Sequence, residues 1–218
     1  MPKPVNDASA QSGVTKRDFV RLATALASTG RSFYNRGWAL GTSGNFSAVI
    51  SREPLRLAIT SSGVDKSELA PEHILQIDAS SKVIAGSGRP SAETLLHIAV
   101  ARLRNAGAVL HTHSIWSNLV SDRHAGNGGL SISGYEMLKG LEGVATHEHS
   151  EWLPIIENSQ DMTALAGTVG EMLARHEAAH GFLLRRHGLY TWGKNLAEAR
   201  RHVEILEFLL EVLGRGQQ

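Results

Sequence analysis

Apolar residues recur along this chain with two periods, and the places where one gives way to the other divide it into helices and strands. Phe19, Leu22, Ala23, Leu26 and Phe33 share one face of a 3.6-residue repeat, which predicts a long amphipathic first helix ending near Gly37. Thr15, followed three positions later by Asp18, resembles a cap at its start. From Gly41 to Leu75 the pattern shortens to apolar runs at 46–50 and 55–59 between Gly, Ser and Pro, a mark of strands joined by tight loops. Helical spacing returns over 92–105, stops at Gly107 and yields to a strand over 109–111. The Gly- and Ser-rich stretch 122–143 predicts loops and short elements. Beyond it the pattern predicts a strand over 153–156, a helix over 162–180, a strand over 182–184 and a closing helix over 196–213. This irregular order predicts an α/β fold, a central mixed or mainly antiparallel sheet flanked by helices. The length of 218 residues suits one domain over 15–218, preceded by a disordered polar tail over 1–14.

Composition narrows the classes of function. With 42% hydrophobic residues, 20% charged residues and a formal net charge of +1, no dominating field calls for nucleic acid or a membrane as partner. Cysteine is absent, so disulfides and thiolate-held zinc are excluded and any metal must sit on histidine and carboxylate, consistent with a reducing cytoplasm. The first thirteen residues have no apolar segment of the signal-peptide kind, and no stretch reaches membrane-spanning length.

The candidate chemistry begins at His111-Thr112-His113, at the end of an apolar run. Residues two apart on a strand point to one side, so both imidazoles can face one ion while Thr112 faces away. His187, after Arg185-Arg186 and before Gly188, stands at the end of a predicted core strand and is the best-placed third histidine. Three nitrogen ligands with an open position make a catalytic type of metal site, because a substrate oxygen can be polarised there. The rival pair His147 and His149, among Glu148, Ser150 and Glu151, reads as solvated; His97, His176, His180 and His202 read as structural residues of helices. Two Gly-hydroxyl turns, at 42–45 and 60–63, together with Ser91 at a helix start, can cradle an anion, although helix capping alone accounts for Ser91. Glu93 fits either a first-turn carboxylate or a group projecting toward the metal, and spacing does not choose between them. Glu136, in the segment 134–140, fits equally well as a solvated helix residue.

Gly-Thr-Ser-Gly-Asn-Phe-Ser (41–47), Ile-Thr-Ser-Ser-Gly (59–63), Pro-Ser-Ala-Glu-Thr (90–94), His-Thr-His-Ser (111–114) and Arg-His-Gly (186–188) follow one another in an order that resembles the class II aldolase/adducin family, over about residues 19–213. Within that family, segments 134–140, 153–158 and 185–193 look like those of dehydratases acting on a methylthioribulose phosphate in methionine salvage. The resemblance implies a catalytic domain of three α/β/α layers and one zinc ion per subunit on His111, His113 and His187. It implies a phosphate pocket at Gly44, Asn45, Ser62, Gly63 and Ser91, with Lys139 also binding substrate; Ala92 stands where aldolases often carry a second serine. Glu93 matches the aldolase acid/base and possible fourth ligand, and Glu136 matches the dehydratase acid/base. A phosphorylated ketose is the implied substrate and a homotetramer with sites at subunit contacts the implied assembly. A sugar-phosphate aldolase or epimerase, and a non-catalytic adducin-like scaffold, are the alternatives; retention of all three histidines speaks against the scaffold.

Overall fold

The computed structural model describes residues 16–216, so Thr15 and the tail expected over 1–14 lie outside the described residues. Among the described residues there are nine strands: β1 (Asn45–Arg52), β2 (Leu55–Thr60), β3 (Ile74–Asp78), β4 (Val83–Ala85), β5 (Ala108–Thr112), β6 (Gly129–Ile132), β7 (Glu151–Ile156), β8 (Gly181–Leu184) and β9 (Gly188–Gly193). They form one sheet in the order β4-β3-β2-β1-β5-β9-β8-β7-β6, in which β7–β8 alone is parallel. Five helices accompany it: α1 (Lys16–Asn35), α2 (Thr94–Leu103), α3 (Ile115–His124), α4 (Met162–Arg175) and α5 (Leu196–Arg215). None of them is long and apolar enough to cross a membrane.

Strand alternation sorts the core onto the two sides of the sheet. Leu57, Ile59, Val109, Phe182, Tyr190 and Trp192 face one way, against Leu96 and Val100 of α2 and Val169 and Leu173 of α4. Ala48, Ala58 and Leu110 face the other way, against Leu26 and Phe33 of α1 and Val203 of α5. Farther along that side, Leu183 and Leu189 meet Val120 of α3 and Leu206 and Leu210 of α5. The result is the α/β/α layering expected from the sequence.

Two differences from the expected elements have clear causes. Helix α3 falls where no helix was expected, because Ile115 and Leu119 are exposed and Ser117 and Ser121 are buried, so its inward face is not an apolar stripe. Helix α4 ends at Arg175 rather than running on to His180, because the Arg104 guanidinium takes the carbonyls of Leu173 (3.0 Å), His176 (2.5 Å) and Glu177 (2.9 Å).

Cross-strand register then builds a row that matters for function. Phe182, Tyr190, His111 and Asn45 lie directly opposite one another across β8, β9, β5 and β1. All four side chains are on the α2 face of the sheet.

Candidate metal centre

His111 is the last residue but one of β5, and His113 follows the strand's end, its N–H held by the Trp38 carbonyl at 2.7 Å. Their rings lie 4.5 Å apart, while Thr112 turns to the opposite face and donates to buried Glu207 of α5, whose carboxyl burial pushes up to about 7. The Tyr190 ring stacks on His111 at 3.9 Å and on Phe182 at 4.9 Å, so the row across the strands sets the plane of the imidazole. Gly44 is required beside this row: its φ is +74°, and a Cβ there would stand 2.8 Å from the His111 carbonyl oxygen.

His187 reaches the same place from the three-residue turn between β8 and β9. Helix α3, which starts directly after His113, holds that turn. Asn118 Nδ2 donates to the His187 carbonyl (2.9 Å), Arg186 N donates to Ser121 Oγ (3.0 Å), and Asp122 pairs with Arg185 (2.9 Å) and Arg186 (2.8 Å). Arg186 takes the left-handed conformation that closes the turn, with φ +52°. The His187 ring centroid comes to 4.5 Å from His113 and 4.9 Å from His111.

Glu93 supplies a fourth group. It is the N-cap residue of α2 but makes no capping hydrogen bond, so its carboxylate does not serve the helix end. Its Oε1 lies 3.1 Å from His187 Nε2 and 3.6 Å from His111 Nε2. Ser91 is not the N-cap of α2; its Oγ accepts from Glu93 N at 3.3 Å and so closes the turn before the helix.

The donor set tests whether this cluster suits a metal. His111 Nδ1–H donates to the Leu189 carbonyl at 3.0 Å, which leaves a lone pair on Nε2 facing Glu93 Oε1 and, at 3.4 Å, His187 Nε2. His187 Nδ1 is held 3.3 Å from Asn158 Oδ1, beyond the end of β7. Glu93 Oε1 and His113 Nε2 are buried without a hydrogen-bond partner. A lone pair facing a carboxylate oxygen is repulsive unless a cation lies between them. One candidate ligand atom from each of Glu93, His111, His113 and His187 falls within 4.8 Å of all the others. Tetrahedral bonds of about 2.0–2.1 Å would set ligand atoms about 3.3 Å apart, and the Glu93–His187, His111–His187 and Glu93–His111 pairs at 3.1, 3.4 and 3.6 Å fit a divalent ion on that spacing. Burial, reinforced by the neighbouring imidazoles, holds His111 and His113 far below the usual histidine range and therefore in the neutral form that ligates.

A cavity of about 140 Å³ adjoins this cluster and shares Glu93 and His113 with it. Gly44, Asn45, Ser62 and Ser91 of the expected phosphate pocket line it, together with Thr42, Ser43, Thr60 and Ser61. The Asn45 amide, however, is taken up by Glu93 Oε2 (2.6 Å), Ser91 Oγ (3.5 Å) and His97. Gly63 is exposed and does not line the cavity. Lys66 does, and the sequence reading missed it. Its side chain is buried, Nζ donates to the carbonyls of Thr42 (3.1 Å) and Val64 (3.0 Å), and burial pushes its pKa down to about 8. The available signal was its place three residues after the Ser-Gly turn.

Glu136 and Lys139 are not brought to this cavity within the protomer. They pair with each other on an exposed 3-10 turn, where Glu136 is 70% exposed and lies 3.5 Å from His147. His149 is not simply solvated, as its sequence neighbours suggested. It meets buried Glu151 at 3.0 Å, and His180, outside any helix, meets the same carboxylate oxygen at 3.0 Å. Among the described residues, the cluster of Glu93 with the three histidines is the group of histidines and carboxylates arranged to hold a metal ion.

Known proteins resemble this chain over most of its length. The family model for the Class II Aldolase and Adducin N-terminal domain matches residues 24–213. The chain is 41% identical to methylthioribulose-1-phosphate dehydratase from Marinobacter nauticus, over 89% of this chain and 94% of that one. It is 43% identical to the protein of the same name from Methylococcus capsulatus, over 91% and 95%. Among solved structures it is similar to L-fuculose-1-phosphate aldolase from Thermus thermophilus (TM-score 0.70, 25% identity, 89% of this chain and 94% of that one). The fold alone is shared with a sugar-phosphate aldolase from Thermotoga maritima (TM-score 0.69, 17% identity, 91% and 94%). The matched region takes in both hydroxyl loops, the end of β5 and the β8–β9 turn, and the chain belongs to the class II aldolase/adducin family.

Proposed function

We propose that this protein dehydrates 5-methylthioribulose 1-phosphate to 5-methylthio-2,3-dioxopentyl phosphate in methionine salvage, as a zinc-dependent homotetramer of the cytoplasm. The observation that carries the reading is the wall shared by the imidazole cluster and the hydroxyl-lined cavity, where Glu93 and His113 belong to both. The names of relatives more than 40% identical over about nine tenths of the chain support this substrate. A zinc ion on His111, His113 and His187 would supply positive charge that draws electrons from the ketose C2 carbonyl and so acidifies the C3 hydrogen.

The protein's own groups do the rest. Hydroxyls and main-chain N–H groups of residues 42–45 and 60–62, with Ser91, bind the phosphate oxygens, and the Lys66 ammonium offsets their charge. With the sugar anchored there, Glu93 leaves the ion to the three histidines and takes the C3 proton at Oε1. The C4 hydroxyl leaves as water when an acid protonates it, giving an enol that becomes the diketone by moving the proton of its C3 hydroxyl to C4. We assign the leaving hydroxyl to Glu136, which Lys139 holds as a carboxylate and which becomes the proton donor on taking up the proton that Glu93 removed from C3, and we assign Lys139 to substrate beside it. Their exposure on the protomer is what a group supplied across a subunit contact requires.

Incubation with methylthioribulose 1-phosphate should yield a product lighter by one water that reacts as a vicinal diketone. Retro-aldol fragments would instead assign the site to C3–C4 cleavage and overturn the dehydratase reading.

A further inference from the structure

Behind Glu93 runs a line of buried polar groups. Asn45 Nδ2 donates to Glu93 Oε2 at 2.6 Å, Asn45 Oδ1 meets Nε2 of His97, and Nδ1 of His97 lies 2.7 Å from Ser47 Oγ. The line is a product of two periodicities. Asn45 and Ser47, two apart on β1, share a face of the strand, and Glu93 and His97, four apart, share a face of α2.

Donor and acceptor roles along it are determined from end to end. A carboxylate only accepts, so the Asn45 amide must turn its NH₂ toward Glu93. Its carbonyl then faces His97 and can only receive a proton-bearing nitrogen, which makes His97 the Nε2–H tautomer. Nδ1 is therefore an acceptor, and Ser47 donates its hydroxyl hydrogen to it. Burial pushes the His97 pKa down to about 4, so the ring stays neutral through the working pH range. Oε2 of Glu93 is thereby tied, while Oε1 has no hydrogen-bond partner and points at the imidazole cluster.

We infer that Ser47, His97 and Asn45 are positioning residues that pin Oε2 of Glu93 and leave Oε1 as the oxygen through which that carboxylate exchanges protons with substrate. The role given to Glu93 rests on the proposed dehydration; the relay itself rests on the hydrogen-bond geometry. His97 is thus more than a helix residue filling the core, and its i+4 spacing from Glu93 is the sequence signal for it.

The test has two arms. Long-range ¹H–¹⁵N spectra of the protein without substrate, with the His97 signals assigned by their loss in His97→Gln, should show a neutral Nε2–H imidazole from about pH 5.5 to 8. An Nδ1–H tautomer, or protonation of this ring in that window, overturns the relay. In the second arm, His97→Leu should lower kcat at least about tenfold with KM within about twofold and bound metal unchanged. His97→Gln, whose amide can donate to Asn45 Oδ1, should restore most of kcat. A folded leucine variant with unaltered kcat, or a glutamine variant no better than leucine, overturns the positioning role. Should the leucine variant not fold, the tautomer decides. Because the spectra need no substrate, wild-type protein inactive on the ketose phosphate would refute the functional reading and leave the relay standing.

Discussion

Lys66 is a lysine 1% exposed to solvent, with two ammonium hydrogens spent on carbonyls and one left for the cavity. Desolvation is what lowers its pKa, and a phosphate dianion in the cavity would supply the missing counter-charge. Lys66→Met is therefore expected to raise KM for the ketose phosphate at least about tenfold with a much smaller change in kcat. The sign of the pH effect follows from the same group. Lys66 is charged below about pH 8 and neutral above it, so wild-type kcat/KM should fall as pH rises through about 8. That limb should vanish in Lys66→Met. Initial rates over a pH series measure both, and a KM indifferent to the substitution would remove Lys66 from substrate binding.

At the scale of elements, the third imidazole depends on a helix that contributes no ligand. Helix α3 starts directly after His113 and returns Asn118, Ser121 and Asp122 to the turn that carries His187, so one short element links two parts of the cluster. Removing an outer group of this kind characteristically costs about 10- to 100-fold in metal affinity. Asn118→Ala should show such a loss in a chelator competition while the far-ultraviolet spectrum stays that of the folded protein. Unchanged metal affinity would mean that Ser121, Asp122 and the strands hold the turn without Asn118. The α3 clamp was hidden in the sequence for the reason that hid the helix: its inward residues are Ser117, Val120 and Ser121, chosen for close approach and hydrogen bonding rather than apolar burial.

For the whole molecule, the exposed position of Glu136 makes a prediction that no single protomer can satisfy. If one subunit supplies Glu136 to the cluster of another, then His111→Ala and Glu136→Gln proteins, each inactive alone, should regain activity when unfolded together and reassembled. A mixture as inactive as its parents would mean that Glu136 does not act across the subunit contact. The sequence by itself determined the helices with a clear apolar stripe, the five strands with apolar runs, the exclusion of thiolate ligands, and the pairing of His111 with His113, because periodicity and residue chemistry are local properties. It also carried the family, through ordered motifs that need no coordinates. Only the tertiary structure decided that His187 and Glu93 meet that pair, that Lys66 rather than Gly63 lines the cavity, that Asn45 is spent on Glu93 and His97, and that Glu136 faces outward. Each of these depends on register across β1, β5, β9 and β8 or on the burial of one side chain by distant segments, and such long-range packing leaves no periodic trace along the chain.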